Sequence, residues 1–289
     1  MLNETEKNEF LNHYNSRINK IDGFIENHLE NLKNVEPCLK DSLFYAVLNG
    51  GKRLRSILCI ETGKAFGASE DKLLPFASAI EYIHAYSLVH DDLPGMDNSD
   101  TRRGMPSCHI KYGLGPAILT GDALLNLSFE LMTDSCINSD NSNETLKAMK
   151  IIANSAGVYG MINGQAVDLK VSDSRKASIE TLIGLIEQKT MALIRCSVLS
   201  GAYIAGCDDD TIKKLDEFSY NLGLAFQIRD DFEDEAEDEA SNQNSPNFIN
   251  ILGRDKAKAY LVETSDKAKS IIKEFENTEF IQKFLDYLF

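Results

Sequence analysis

Two clusters of aspartates are the residues whose types and spacing most clearly suggest chemistry. The first cluster consists of Asp91, Asp92 and Asp97, and the second consists of Asp230, Asp231 and Asp234. On a helix, Asp230 and Asp234 share a face, where like charges repel each other by roughly a few tenths of a kcal/mol. Carboxylate oxygens are the ligands that Mg²⁺ prefers, and Mg²⁺ usually completes its shell with water and substrate phosphate. The clusters therefore predict Mg²⁺ sites for a phosphorylated substrate; the alternative is two solvated acidic patches.

Basic residues accompany the aspartates in two short segments. The segment GGKRLR, residues 50–55, contains Lys52, Arg53 and Arg55, and the first aspartate cluster is followed by Arg102 and Arg103. The paired glycines indicate a close approach to the start of the next helix, and helix N-termini favour anions. His84 lies two helical turns before Asp91, about 10 Å along the axis and on the same face. These residues predict a second diphosphate position without metal; the alternative is a charged helix start and an ordinary core histidine.

Helices must position these side chains, because nearly every segment has the 3.6-residue periodicity of an amphipathic helix. Helices are predicted over residues 5–32, 38–48, 54–67, 70–92, 116–136, 144–170, 178–205 and 209–234, with two or three shorter ones over 247–288. The pattern lacks internal repeats and alternating strands of useful length. We therefore predict an all-α protein, a single large helical bundle forming one domain over residues 1–289. The acidic segment 235–245 is predicted to be a solvated loop.

The composition makes several functional classes unfavourable. The 289 residues carry a formal net charge of −15, which would repel nucleic acid. The six cysteines show no CxxC spacing, which is typical of reduced thiols in a cytoplasmic protein. The segment MLNETEKNEF is charged where a signal peptide would be apolar. No apolar run approaches the ~20 residues that a bilayer requires, so stable membrane insertion is not expected.

The motifs, taken together and in this order, resemble the trans-isoprenyl diphosphate synthase family, and within it the bacterial farnesyl diphosphate synthases (geranyltranstransferases). The matching segments run from about residue 38 to 234 and are GGKRLR, HAYSLVHDDLPGMDNSDTRRG, GDALL, NGQAVDL, KTMALIR and GLAFQIRDDFED. The resemblance implies a helical bundle of the isoprenoid synthase type and a head-to-tail prenyl transfer. In that reaction an allylic diphosphate ionises, and the C3–C4 double bond of isopentenyl diphosphate attacks the carbocation. A proton is then lost to the departing diphosphate.

The resemblance also implies roles for individual residues. Three Mg²⁺ ions would bind with the allylic diphosphate, held by Asp91, Asp92, Asp97, Asp230, Asp231 and Asp234. Arg102 and Lys189 would contact the allylic diphosphate, and Thr190 and Gln227 would turn their dipoles towards the carbocation. The set Lys52, Arg55, His84 and Arg103 would hold isopentenyl diphosphate. Members of the family are typically homodimers, which we expect here as well.

Product length and one departure from the family pattern leave alternatives open. In the family, bulk just before the first aspartate cluster limits the product, and Tyr86 stands five residues before Asp91. An aromatic residue there resembles the farnesyl-producing type; the limit would otherwise lie at Ser87 or on a facing helix. After Asp234 the two lysines of the usual family loop are missing, and Asn244 or Ser245 stands near the second. The alternatives are therefore a geranyl or geranylgeranyl diphosphate synthase, or a degenerate, non-catalytic subunit of a prenyl synthase.

Overall fold

Helices dominate the computed structural model, which describes residues 3–170, 178–241 and 247–289, with the backbone alone for residues 234–241. The first half contains α1 (Glu4–Glu30), α2 (Pro37–Leu48), α3 (Leu54–Ala65), α4 (Glu70–Asp91), α5 (Cys108–Tyr112), α6 (Leu114–Ile137) and α7 (Ser142–Ala156). The second half contains α8 (Met161–Asp168), α9 (Ile179–Ile186), α10 (Ala192–Ile204), α11 (Asp209–Ser241), α12 (Phe248–Leu252), α13 (Arg254–Ile272) and α14 (Glu279–Leu288). A π-helical turn, Glu187–Met191, joins α9 to α10. The prediction of an all-α fold is confirmed.

Helix α4 is the central helix of the bundle and carries the first aspartate cluster at its C-terminal end. It packs against α1, α2, α3, α6, α7 and α10. Its central residues are therefore buried on every side, including Phe76, Ile80 and Ile83. Helix α10 crosses α3 closely because Gly201 has no side chain; a Cβ there would lie 2.3 Å from the carbonyl oxygen of Cys59. This core fixes where Asp91 emerges.

Two predicted helix boundaries were wrong, and one pair of short strands was not predicted. The predicted helix 144–170 is divided into α7 and α8, because the chain turns at Gly160, where a Cβ would lie 2.2 Å from the carbonyl oxygen of Ser155. The predicted loop 235–245 continues α11 as far as Ser241, as its glutamates and alanines are good helix formers; residues 242–246 lie outside the described residues. Residues 101–106, where no strand was predicted, form a two-residue antiparallel pair of β1 (Thr101–Arg102) and β2 (Met105–Pro106).

The C-terminal part agrees with the prediction of two or three shorter helices, since α12, α13 and α14 follow one another there. Within the described part of the chain, none of the helices has both the length and the hydropathy that a membrane-spanning segment requires.

Candidate active site

Two adjoining cavities open beside the C-terminal half of α4. The basic cavity has a volume of about 580 Å³ and is lined by Asn49, Gly50, Gly51, Lys52, Arg53, Leu54, Arg55, Glu81, His84, Arg103 and Phe226. The apolar cavity has a volume of about 560 Å³. Its lining comprises Arg55, His84, Tyr86, Ser87, Leu88, His90, Asp91, Met96, Asp122, Leu125, Met161, Ile162, Gln165, Ala166, Leu169, Lys189, Thr190 and Leu193. Arg55 and His84 line both cavities and form the wall between them.

Asp91 is the last residue of α4 and lines the apolar cavity. Burial raises the pKa of its carboxyl group to about 6, and the nearby negative charge of Asp97 adds to that increase. Lys189 and Arg102 act in the opposite direction and lower this pKa. The loop after α4 turns back on itself, since the Asp97 amide donates to the Asp91 carbonyl at 2.9 Å. The turn therefore brings two carboxylates of the first cluster near each other.

Asp92 has a different environment from Asp91. Its side chain is buried and accepts hydrogen bonds from Arg102, with Nη2 2.6 Å and Nε 3.1 Å from Oδ1. Such a charge-assisted pair fixes both side chains. Arg102 lines neither the basic cavity nor the apolar cavity. Its contact with the site is the ion pair with Asp92. This ion pair therefore joins the end of α4 to β1, the two elements that flank the loop carrying Asp97.

The carboxylates present fit a divalent cation. Within the residues that the structure describes, no three His, Cys, Asp or Glu side chains form a preformed metal site. Mg²⁺, however, is commonly bound through one or two carboxylates, with water and substrate phosphates completing its shell. A half-buried carboxylate beside a like charge, as Asp91 is beside Asp97, is stabilised when a cation arrives. These two side chains are accordingly the ones that would hold a metal together with a bound diphosphate.

The second aspartate cluster is only partly directed at the cavities. Asp231 is buried; its carboxylate accepts hydrogen bonds from Gln227 Nε2 at 3.0 Å and from the Phe248 amide at 2.8 Å. These contacts connect α11 to the start of α12, and neither Asp231 nor Gln227 lines the cavities. Burial lowers the pKa of the Arg55 guanidinium group, and the negative charges of Glu81 and Asp230 oppose that change, so Asp230 lies near Arg55. The side chain of Asp234 lies outside the described residues.

Lys189 and Thr190 lie on the π-helical turn and line the apolar cavity. Single π-helical turns within a helix are frequent at functional sites. Lys189 Nζ donates to the carboxylate of Asp168 at the end of α8. Gly164 lets α8 approach the turn, since a Cβ there would lie 2.5 Å from the Lys189 amide nitrogen. The segment NGQAVDL therefore positions the turn, a role that sequence reasoning did not assign to Gly164 or Asp168.

The basic cavity is strongly cationic. Arg55 Nη1 lies 3.4 Å from His84 Nε2. Burial lowers the pKa of His84 well below its ordinary value, and the positive charges of Arg55, Arg103, Arg53 and Arg102 lower it further. Arg103 has a left-handed backbone conformation and donates through Nη1 to the Gly50 carbonyl. Lys52 is exposed at the rim. The predicted residues Lys52, Arg55, His84 and Arg103 are thus brought together, and their charge suits an anion.

Tyr86 and Ser87 both line the apolar cavity, one turn or more before Asp91. The Tyr86 side chain is 5% exposed, and its ring packs edge-on against His90 with centroids 5.8 Å apart. Its hydroxyl group is buried without a hydrogen-bond partner, as are both amide atoms of Gln165. Ser87 Oγ donates to the His84 carbonyl at 2.9 Å. Tyr86 therefore contributes one large, buried ring to the lining of the apolar cavity.

This arrangement combines an apolar cavity, lined by Asp91, with a cationic cavity beside it. Residues 36–246 match the family described as polyprenyl synthetase. The chain belongs to the polyprenyl synthetase family. It is 35% identical over 262 residues to the farnesyl diphosphate synthase of Escherichia coli, an alignment covering 86% of this chain and 87% of that protein. It is 41% identical over 191 residues to the geranylgeranyl diphosphate synthase of Cyanophora paradoxa, covering 66% of this chain and 63% of that protein.

Solved structures of polyprenyl synthetases show the same fold. An FPP/GFPP synthase from Zymomonas mobilis superposes with a TM-score of 0.89 at 31% identity, covering 96% of this chain and 98% of that one. The predicted family is thereby confirmed, and the protein is a prenyltransferase related to the trans-prenyl diphosphate synthases. Relatives with farnesyl and geranylgeranyl products both match, so family membership establishes the class of reaction and not the product length.

Proposed function

We propose that the protein is a farnesyl diphosphate synthase, which uses Mg²⁺ to condense isopentenyl diphosphate with dimethylallyl or geranyl diphosphate. The observation that carries this proposal is the apolar cavity itself, with Asp91 at one end and the Tyr86 ring deeper along the same helix. Five residues of α-helix correspond to about 7.5 Å. That depth accommodates a prenyl chain of limited length below a diphosphate held at Asp91.

In this proposal the allylic diphosphate binds at Asp91 and Asp97, close to Lys189. Bound Mg²⁺ supplies positive charge that stabilises the leaving diphosphate during ionisation. Lys189 lies near Asp91 and adds a positive charge on the same side. Thr190 lines the cavity on the same turn and offers a hydroxyl dipole to the cationic prenyl group. The apolar lining excludes water, which would otherwise capture the cation.

Isopentenyl diphosphate binds in the basic cavity, where Lys52, Arg55 and Arg103 neutralise its charge without metal. Burial, and then the charges of four arginines, hold the pKa of His84 well below its ordinary value, and an anionic diphosphate would stabilise the protonated form of this side chain. In this arrangement Arg55 and His84 lie between the two diphosphate groups. The double bond of isopentenyl diphosphate then faces the reacting carbon of the allylic substrate. Holding the two substrates in this orientation contributes much of the acceleration.

The direct test is incubation with isopentenyl and dimethylallyl diphosphates and Mg²⁺, followed by chain-length analysis of the product. We expect a fifteen-carbon diphosphate that does not form when Mg²⁺ is chelated. No product above background at saturating substrate would refute the proposal. It would also revive the alternative of a non-catalytic subunit, which the missing loop lysines suggested.

Tyr86 sets the product length in this proposal, because a close-packed ring cannot be compressed. Tyr86→Ala should shift the product towards twenty carbons with activity retained, since the charged residues stay in place. Tyr86→Phe is the matched control: it keeps the ring and removes the unpaired hydroxyl group, so the fifteen-carbon product should persist. A fifteen-carbon product from Tyr86→Ala would mean that the limit lies at Ser87 or on a facing helix.

The proposed enzyme is a cytoplasmic homodimer whose single domain spans residues 1–289. Support for the dimer comes from α6, where Leu114, Ile118 and Leu119 are exposed, with Leu119 exposed by 58%. Several exposed large apolar side chains on one region are typical of a protein–protein interface. A dimer mass by light scattering at micromolar concentration would support this assembly, and a monomer mass would contradict it.

A further inference from the structure

Arg53 lies between two predicted diphosphate ligands in the sequence and is part of the basic cavity's lining, but its side chain is buried and bonded to the surrounding helices. Only 2% of the side chain is exposed, whereas its neighbour Lys52 is exposed. The guanidinium group already has three partners on three helices. Three of its five N–H groups are thereby bonded to the protein's own helices.

The partners of Arg53 come from the helices that surround the loop. Nε donates to Asp22 Oδ1 on α1 at 2.7 Å, and Nη2 donates to the Val47 carbonyl on α2 at 2.8 Å. Nη1 lies 3.4 Å from Glu81 Oε2 on α4. The other oxygen of Glu81 lies 2.8 Å from Ser56 Oγ on α3. The guanidinium group therefore joins α1, α2 and α4 at the point where α3 begins.

The backbone of Arg53 explains why such an anchor is needed. Its φ of 47° and ψ of 26° are left-handed, a conformation that costs an L-residue roughly 1–2 kcal/mol. The same residue starts α3, since its carbonyl accepts the hydrogen bond of the Ile57 amide at 3.0 Å. Tyr14 of α1 holds the preceding residue by donating to the Lys52 carbonyl at 2.5 Å. The turn that aims Lys52 and Arg55 into the cavity is thus maintained by contacts made behind it.

We infer that Arg53, held by Asp22 and Glu81, is a positioning residue that sets the affinity of the basic cavity for isopentenyl diphosphate. This inference rests on the proposed function, because it assumes that the cavity binds that substrate. Asp22 and Glu81 then support the binding of an anion although their own charge is negative. Their effect is exerted through the conformation of the loop over residues 50–55.

The charge of these carboxylates and their contact with Arg53 have opposite effects on the affinity of the basic cavity for diphosphate. Glu81 lines the basic cavity, and Asp22 lies behind it. If these carboxylates acted only through their charge, neutralising either one would strengthen diphosphate binding. If they hold Arg53 and the loop, neutralisation loosens the loop and weakens binding. The direction of the change therefore separates the two explanations.

The experiment is a calorimetric titration of the full chain with isopentenyl diphosphate in metal-free buffer, repeated with inorganic diphosphate. Asp22→Asn and Glu81→Gln should each weaken binding by about tenfold, which corresponds to the loss of one charge-assisted hydrogen bond. Arg53→Lys keeps the positive charge but loses the planar guanidinium group that bonds three helices, so it should weaken binding similarly. Lys52→Ala provides the reference for a residue that contacts the ligand. Glu26→Gln, an exposed carboxylate one turn further along α1, is the matched control and should bind like wild type.

Steady-state kinetics supply the readout that a general loss of structure would not produce. We expect KM for isopentenyl diphosphate to rise, with KM for the allylic substrate unchanged. Equal rises in both KM values, or binding by Asp22→Asn as tight as wild type or tighter, would overturn the inference while leaving the proposed function intact. If Glu81→Gln does not fold, Asp22→Asn decides, because that carboxylate is 35% exposed and is the safer one to change. Failure of wild type to bind either probe would overturn both proposals.

Discussion

Asp91 is the residue whose replacement should produce opposite changes in stability and in activity. Burial and the neighbouring Asp97 raise the pKa of its carboxyl group from 3.8 to about 6, so the ionised form is unfavourable in the folded protein. Asp91→Asn removes this charge while keeping the shape of the side chain. In the absence of metal, the variant should therefore be more stable than wild type at neutral pH.

The size of this effect follows from the change in pKa. A shift of one unit corresponds to about 1.4 kcal/mol, so the difference between 3.8 and about 6 gives an upper value near ~3 kcal/mol. Asp91 is only half-buried and water screens its charge, which reduces the expected gain to about 1 kcal/mol. Because the folded-state pKa is raised, the folded protein binds the proton more tightly than the unfolded chain. The cost in wild type is therefore absent at low pH and grows as pH rises through the interval from 3.8 to about 6.

Urea unfolding of both proteins at pH 5 and pH 8 in metal-free buffer measures this difference. At pH 5, the advantage of Asp91→Asn should be about half of its value at pH 8. Adding Mg²⁺ with inorganic diphosphate should reverse the order, because wild type gains ligand-binding free energy and the variant largely does not. Turnover of the variant should fall by about 100-fold or more, since a ligand to the leaving-group metal is lost.

Asp266→Asn is the control, because Asp266 is a solvent-exposed residue within α13 and lines neither cavity. It should change neither stability nor activity. A wild type as stable as Asp91→Asn at pH 8 without metal would refute the reasoning. It would mean that Lys189 and Arg102 already compensate the charge of Asp91 in the free protein.

Three further substitutions test how neighbouring contacts support the site. Gly164→Ala should lower turnover strongly, because its Cβ would lie 2.5 Å from the Lys189 amide nitrogen and would displace the π-helical turn; product formation at saturating substrate measures this. Gly184→Ala in α9 has open space around the new methyl group and should instead stabilise by about 0.5–1 kcal/mol, as judged by urea unfolding. Gln165→Leu should raise the unfolding temperature, because it removes a 9% exposed amide whose two polar atoms have no partner, each costing about 1–3 kcal/mol. A lower unfolding temperature for Gln165→Leu would show that the amide has a structural partner.

Relationships within one helix were predictable from the sequence. His84, Tyr86 and Asp91 lie on α4, and helix geometry alone fixes their relative depth. The same periodicity predicted the all-α fold, and the order of the motifs predicted the family. These predictions succeeded because they depend on residues only a few positions apart.

Contacts between distant segments were decided by the tertiary structure. Arg53 looked like one more cationic ligand in GGKRLR, yet its buried guanidinium group is held by Asp22 and Glu81. The Asp231 carboxylate accepts a hydrogen bond from the Phe248 amide of another helix, a contact that its place in the second aspartate cluster did not predict; its role as a metal ligand stays a prediction. In each case the side chain's role depends on a partner 17 to 31 residues away. Helical periodicity describes which face a residue occupies on its own helix, whereas its hydrogen-bond partners depend on how the helices pack against one another.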